Sequence, residues 1–160
     1  MSAIKRVTLA LCVLMLALFA TQASAQDRPP YGPDVNLAQA KKITAAAIAE
    51  AQKNNWRMAV AIVDNHGLLV YYERMDDTQT GSSLSAIEKA KTAAMFRRPS
   101  RAFEEGVAKG RIALLGLTGA MPITGGVPIM VGGNVIGGIG VSGALGDQDE
   151  QCAKAGVSAM

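Results

Sequence analysis

Few residues of this 160-residue chain could carry out chemistry, and the clearest is His66, its only histidine. It lies between two apolar runs, in the segment 64–67 (DNHG), which is typical of a tight turn. An imidazole titrates near neutral pH and binds iron, so His66 is a candidate metal ligand or acid–base group. The alternative is an exposed turn residue without a role, and composition alone favours it. A single histidine excludes zinc and iron sites that use several histidines.

Two further groups of polar residues could contact a ligand. Arg74 and Met75 follow the second apolar run, where an arginine can pair with a carboxylate and a methionine can line an apolar pocket. An arginine that only pairs with a neighbouring acidic residue is an equally good interpretation. Lys89 and Thr92 are three residues apart, on neighbouring faces of a predicted helix, and a solvated helix face is the simpler explanation.

The densest motif is the glycine-rich stretch 125–143, GGVPIMVGGNVIGGIGVSG. The branched residues between the glycines predict a β-hairpin, with strands at 127–131 and 135–141 and a turn at 132–134. Glycines here would let a ligand or a second subunit approach the backbone closely. Residues 138–143 match GxGxxG, but a dinucleotide site also needs a second parallel strand. Hairpin packing therefore explains these glycines better than nucleotide binding.

The remaining composition excludes several function classes. Glu104 and Glu105 are adjacent and diverge on a helix, which argues against a catalytic carboxylate pair, and the sequence has neither a nucleophile elbow nor a P-loop. The net charge of +3 includes Lys5 and Arg6 of the first segment, so nothing favours nucleic acid as a partner. Cys152 would be the only cysteine left after cleavage of that segment, and we expect a free thiol packed on a helix.

The first 25 residues resemble an export signal. Lys5 and Arg6 precede an apolar stretch at 7–20, and 23–25 (ASA) fits a cleavage site. We therefore expect a periplasmic or secreted mature chain that starts at Gln26 and has no stable membrane anchor. An uncleaved anchor is the alternative.

The rest of the chain must position these residues. Residues 26–35 are proline-rich and predict an extended, mobile lead-in, and 36–160 predict one domain. Within it, Asn36 and Gln39 form a capping box at the start of the first helix, and a serine at 82 or 83 caps the second. The predicted helices are one that follows Asn36 and ends at about Asn54, one that follows residue 82 or 83 and ends at about Phe96, and two more at 101–109 and 147–159. The predicted strands are 58–63, 68–73 and the two strands of the glycine-rich hairpin. Residues 112–120 predict a strand or a buried loop. This order predicts an α+β fold with an antiparallel sheet.

The same segments are similar to the GlcG/HbpS-like family, also called the haem-degrading domain family. The resemblance rests on residues 62–67, 74–76, 87–96, 125–143 and 148–153, and it covers about residues 37–157. It implies a profilin-like three-layer α/β/α domain, with helices on both faces of the sheet, that assembles into homo-oligomers, often octamers.

The resemblance also implies haem as a cofactor, since some members bind haem and one secreted member degrades it. An exported haem- or tetrapyrrole-binding protein is therefore one hypothesis, with slow oxidative haem degradation or redox sensing as its activity. Arg97 is a further candidate cation and Met95 a further candidate wall, while no catalytic residue is assigned. The candidate ligand-binding residues are His66, also the candidate iron ligand, Arg74, Met75, Lys89, Thr92, Gly125 and Gly126.

Two alternatives remain open. A module that binds small organic acids such as glycolate would hold a carboxylate with Arg74 and the amides of Gly125 and Gly126. A structural oligomer without any ligand is the third interpretation.

Overall fold

The computed structural model describes residues 28–160. The elements in chain order are α1 Leu37–Lys53, β1 Ala59–Val63, β2 Leu69–Arg74, α2 Gly81–Phe96, α3 Arg101–Ala108, a 3₁₀-helix Ile112–Gly116, β3 Gly126–Val131, β4 Asn134–Ser142 and α4 Gly146–Val157. The predicted export signal, its cleavage site and residues 26 and 27 lie outside the described residues. Within the described part, no helix combines the length and the apolar character that a membrane span requires.

The four strands form one antiparallel sheet in the order β2–β1–β4–β3. Both predicted hairpins are present, because each pair of apolar runs is joined by residues that accept a tight turn. Gly132 and Gly133 close the second hairpin with φ angles of 56° and 81°, in the left-handed region that a short hairpin turn requires. Asn134 therefore begins β4 and pairs with Val131.

Helices cover both faces of this sheet. Every residue of β1 is buried, and its side chains alternate between the two faces. Val60 and Ile62 belong to a core with residues of α1 and α4, whereas Ala61 and Val63 pack with residues of α2. The three-layer α/β/α prediction is confirmed.

The α2 backbone lies directly on the glycines of β3 and β4. A Cβ atom built on Gly140 would lie 2.0 Å from the carbonyl oxygen of Ala86, and one on Gly138 would lie 2.4 Å from that of Ala90. Gly126 is as close to the carbonyl oxygen of Lys89, at 2.2 Å. These glycines make room for a helix, since no side chain fits between α2 and the sheet.

Residues 28–35 run beside β4 and form backbone hydrogen bonds with it. The N–H of Gly32 donates to the carbonyl of Val135 at 2.8 Å, and the N–H of Val35 donates to Ile136 at 2.7 Å. In the opposite direction, the N–H of Val135 donates to Pro30 at 2.8 Å. Backbone hydrogen bonds to a core strand therefore hold the lead-in that the sequence predicted to be mobile.

Two local predictions were wrong. No serine side chain caps α2, which begins at Gly81 after Thr80. The stretch predicted as a strand or buried loop is a short 3₁₀-helix on the surface, where Ile112 and Leu115 are 70% and 65% exposed. Only Leu114 of this helix is buried, because it packs against α3 at Gly106.

We expect Gly140→Ala to destabilise the protein by about 1–3 kcal/mol, since its methyl group would overlap the Ala86 carbonyl and push α2 off the sheet. Gly81→Ala is the matched control, because a Cβ atom at that helix position meets nothing within 4 Å. Urea unfolding followed by circular dichroism measures both. Equal midpoints for the two variants would contradict the close helix–sheet contact.

Candidate functional site

The structure places His66 at the mouth of a pocket of about 490 Å³, which we call the His66 pocket. Three separate parts of the chain form it: the lead-in, the turn between β1 and β2, and the last turn of α2. Its lining residues are Tyr31, Gly32, Pro33, Asp34, Asn65, His66 and Met95. The imidazole is exposed, and Tyr31 and Met95 are 46% and 42% exposed. The pocket is therefore open to solvent and has both apolar and polar walls.

The turn that carries His66 is built by its neighbours. The Asp64 carboxylate accepts hydrogen bonds from the N–H groups of His66 at 2.8 Å and Leu68 at 2.9 Å, which closes the turn. Gly67 has a φ of 79°, and a Cβ atom there would lie 2.8 Å from the Met95 sulfur. The turn thus presents the imidazole outward and brings its own backbone against Met95.

Side-chain hydrogen bonds fasten the lead-in over this turn. The Tyr31 hydroxyl donates to the carbonyl of Met95 at 2.8 Å, and Asn65 Nδ2 donates to the carbonyl of Gly32 at 2.9 Å. The N–H of Asn65 donates to the Asp34 carboxylate at 3.1 Å. Sequence reasoning missed Tyr31, Asp34 and Asn65, because these partners are 31 to 64 positions apart and no local pattern links them.

Arg74 and Met75 lie in a different pocket. The β1–β2 register pairs Ala59 with Arg74 at one end and Val63 with Leu69 at the other, where the His66 turn begins. Four residues of strand, about 13 Å, separate these two ends. The second pocket also holds Arg57 and the carboxylates of Glu73, Asp76 and Asp77. Its acidic groups are unfavourable for an organic acid and for the carboxylates of a haem.

Lys89 is in the protein interior, where it forms an ion pair. Its ammonium lies 2.7 Å from the Asp149 carboxylate, both side chains are 2% exposed, and the carbonyl of Val141 accepts a second hydrogen bond at 3.1 Å. Burial raises the pKa of the Asp149 carboxyl, while the hydrogen bond from Lys89 and the N–H of Ala144 act to lower it. This lysine joins α2, β4 and α4.

Thr92 is also buried, and its hydroxyl forms hydrogen bonds within the fold. Its hydroxyl donates to the carbonyl of Glu88 at 2.7 Å and accepts from the N–H of Met121 at 2.7 Å. It therefore ties the loop before β3 to α2. The residues predicted from this helix face, Lys89 and Thr92, are not brought to the His66 pocket.

Gly125 and Gly126 lie against α2. A Cβ atom on Gly125 would be 3.0 Å from the Lys89 nitrogen, and the N–H of Gly126 donates to the Ser100 hydroxyl at 2.9 Å. Arg74 ends β2, whereas Gly126 begins β3, and strands β1 and β4 lie between these two edge strands. One protomer thus does not bring Arg74 and the two glycine amides together.

Cys152 is buried in the helical layer formed with α1. Burial, together with the charges of Glu50 and Asp149, raises the pKa of its thiol to about 12. A thiol with this pKa stays protonated at neutral pH and is a poor nucleophile. Among residues 28–160, no group of three or more histidine, cysteine or acidic side chains could hold a metal ion.

Residues 35–158 match the family described as haem degrading protein HbpS-like. The chain belongs to this family. Among characterised proteins, Protein GlcG of Escherichia coli is 43% identical over 90 residues, which are 52% of this chain and 67% of GlcG. The resemblance drawn from the sequence motifs is confirmed.

Two solved structures have the same fold as this chain. A double mutant of HbpS from Streptomyces reticuli superposes with a TM-score of 0.75 and 31% identity, covering 88% of this chain and 94% of HbpS. A PduOC–haem complex superposes with a TM-score of 0.72 and 28% identity, covering 79% of this chain and 95% of PduOC. The second of these structures contains haem.

We expect Lys89→Met to destabilise the protein by about 3–5 kcal/mol, because it leaves the Asp149 carboxylate buried without its partner. Lys91→Met is the control, since the Lys91–Glu88 pair is 34% and 40% exposed and should be worth less than about 1 kcal/mol. Adding Asp149→Leu to Lys89→Met should restore most of the lost stability. Guanidinium unfolding of the four proteins measures this, and similar midpoints for both lysine variants would argue against the buried pair.

Proposed function

We propose that this chain binds haem, or a closely related tetrapyrrole, in the His66 pocket. The observation that carries the proposal is an exposed imidazole beside an apolar wall in a cavity of suitable size. About 490 Å³ lies within the range of small-molecule and cofactor pockets. The family description and the haem complex of PduOC support the same ligand.

The residues of the pocket fit such a ligand. His66 offers an imidazole nitrogen to iron, and Met95 and Tyr31 offer apolar surface to the ring. The open shape of the pocket leaves one face of a large planar ligand uncovered, so a second subunit could complete the enclosure. In a slow oxidative breakdown or a redox-sensing role, the iron would supply the oxygen chemistry, and the chain would supply position and access.

Haemin titration of the purified protein tests this proposal. We expect a saturable, red-shifted Soret band in the wild type and its loss or displacement in His66→Ala, because the imidazole is the proposed iron ligand. Arg74→Ala is the matched control, since Arg74 lies in the other pocket, and it should leave the spectrum unchanged.

Two results would count against it. A His66→Ala spectrum identical to that of the wild type would remove His66 as the ligand. Weak, unsaturable spectra in every variant would remove haem itself. Binding of glycolate by the haem-free protein, lost in Arg74→Ala, would then favour the organic-acid alternative.

We also propose that the chain forms a homo-oligomer. The segment 112–123, which follows α3, exposes four apolar side chains, and we propose that they form an apolar patch of the kind found at subunit interfaces. They are Ile112 at 70%, Leu115 at 65%, Leu117 at 38% and Ile123 at 46% exposure. Close contact between copies at this surface would cover them.

Leu115→Glu should lower the measured mass of the assembly, because it places a charge in the apolar patch. Leu84→Glu is the control, since Leu84 is 72% exposed on α2, outside this segment. Light scattering coupled to size exclusion gives the masses. A monomeric wild-type protein would contradict the oligomer, and an unchanged Leu115→Glu assembly would exclude this surface.

Export completes the proposal and rests on the sequence of the first 25 residues. The protein recovered from the cell envelope or medium should begin at Gln26, which its intact mass determines. A mass that retains residues 1–25 would contradict cleavage.

A further inference from the structure

The charges of Arg28 and Arg111 act on Arg98 just after the end of α2, and we call these three residues and the adjacent Arg97 the arginine cluster. They come from three separate parts of the chain. Arg28 lies in the lead-in, Arg97 and Arg98 directly follow α2, and Arg111 follows α3.

Arg97 connects the cluster to the His66 pocket. Its backbone ends α2 in the left-handed conformation, with a φ of 53°. Its guanidinium lies 5.0 Å from the centre of the Tyr31 ring and donates to the carbonyl of Pro29 at 3.2 Å. The same tyrosine lines the His66 pocket, and Pro29 directly follows Arg28. Arg97 thus lies beside a residue that lines that pocket.

Arg98 packs against an aromatic ring, but one of its hydrogen-bond donors has no acceptor. Its guanidinium lies 3.9 Å from the centre of the Phe103 ring, and its Nε is buried without a hydrogen-bond acceptor. Burial lowers the pKa of Arg98, and the positive charges of Arg28 and Arg111 lower it further. A buried donor without a partner is costly, and neighbouring like charges add to that cost.

In the described part of the chain, carboxylates pair with Arg101 but with no member of the arginine cluster. Arg101, three residues beyond Arg98, pairs with Asp147 and Glu150. Among the ion pairs of residues 28–160, none includes a member of the arginine cluster. The cluster is therefore a concentration of positive charge with unused hydrogen-bond donors.

We infer that the arginine cluster is a carboxylate-binding site, and that it receives the carboxylates of the ligand whose apolar body lies in the His66 pocket. That the cluster binds a carboxylate is argued from the cluster alone. That this carboxylate belongs to the ligand of the His66 pocket rests on the proposed function. A planar guanidinium binds a carboxylate through two parallel hydrogen bonds, and no carboxylate of residues 28–160 pairs with Arg98. The contact with the Phe103 ring holds the guanidinium in place.

Haemin and haemin dimethyl ester separate the contribution of the carboxylates from that of the iron. The wild type should bind haemin at least about tenfold more tightly than the ester, since hydrogen bonds to charged groups are worth that much. In Arg98→Gln this ratio should fall toward one. Arg57→Gln is the control, because Arg57 lies in the second pocket, and it should keep the wild-type ratio.

A second measurement needs neither iron nor the pocket. Succinate, compared with sodium chloride at equal ionic strength, should raise the unfolding temperature of the haem-free wild type in a saturable way. The effect should be absent in Arg98→Gln. Arg28→Gln, a change in the lead-in outside every helix and strand, provides a second variant if Arg98→Gln does not fold.

The outcomes distinguish the two proposals. Equal affinity for haemin and its ester, with a Soret band that depends on His66, would overturn the inference and leave haem binding intact. No haem binding, with a succinate effect that Arg98→Gln abolishes, would overturn the proposed function and support the carboxylate site. The absence of both the ester difference and the succinate effect would overturn the inference.

Discussion

The contact between the α2 backbone and the glycines of β3 and β4 determines where α2, and with it one end of the sheet, lies. Gly126, Gly138 and Gly140 let the helix approach until carbonyl groups meet the sheet backbone. A helix held this closely has a fixed end. That end places Met95 against the β1–β2 turn, and it places Arg97 against the ring of Tyr31. The geometry of the His66 pocket and of the arginine cluster thus follows from a packing constraint in the core.

The buried pair of Lys89 and Asp149 complements this contact. Removing two charges from water is costly, and the attraction between them repays the cost only when their geometry and hydrogen bonding are good. Here Lys89 also donates to the carbonyl of Val141, and Asp149 also accepts from the N–H of Ala144. A pair with so many fixed partners permits one arrangement of α2, β4 and α4. Its role in the fold is therefore specificity of packing rather than ligand binding.

The proposed ligand site lies at the surface, at one end of the sheet. The lead-in, the β1–β2 turn and the end of α2 each contribute side chains there, and hydrogen bonds from Tyr31 and Asn65 hold the three parts together. His66, Tyr31 and Met95 line one pocket, and Arg97 lies against the Tyr31 ring, although their positions range from 31 to 97 in the sequence. Such a surface suits a ligand that is apolar in its body and acidic at its edge.

The sequence by itself determined the family and most of the elements, apart from the 3₁₀-helix and the cap of α2, because local signals dictate them. The capping box at Asn36, the turn residues around His66 and the glycine-rich hairpin all have the predicted form. Only the tertiary structure decided which polar residues share a site. Lys89 lies in a sequence typical of a solvated helix face, but it is buried against Asp149. The sequence pattern did not reveal this pairing, because Asp149 is 60 positions away. Tyr31 lies in a stretch predicted to be mobile, yet it bonds to Met95, 64 positions away. The periodic spacing of side chains along the sequence indicates a helix or a strand. A site depends instead on contacts between residues far apart in the sequence, and no periodic spacing indicates those contacts.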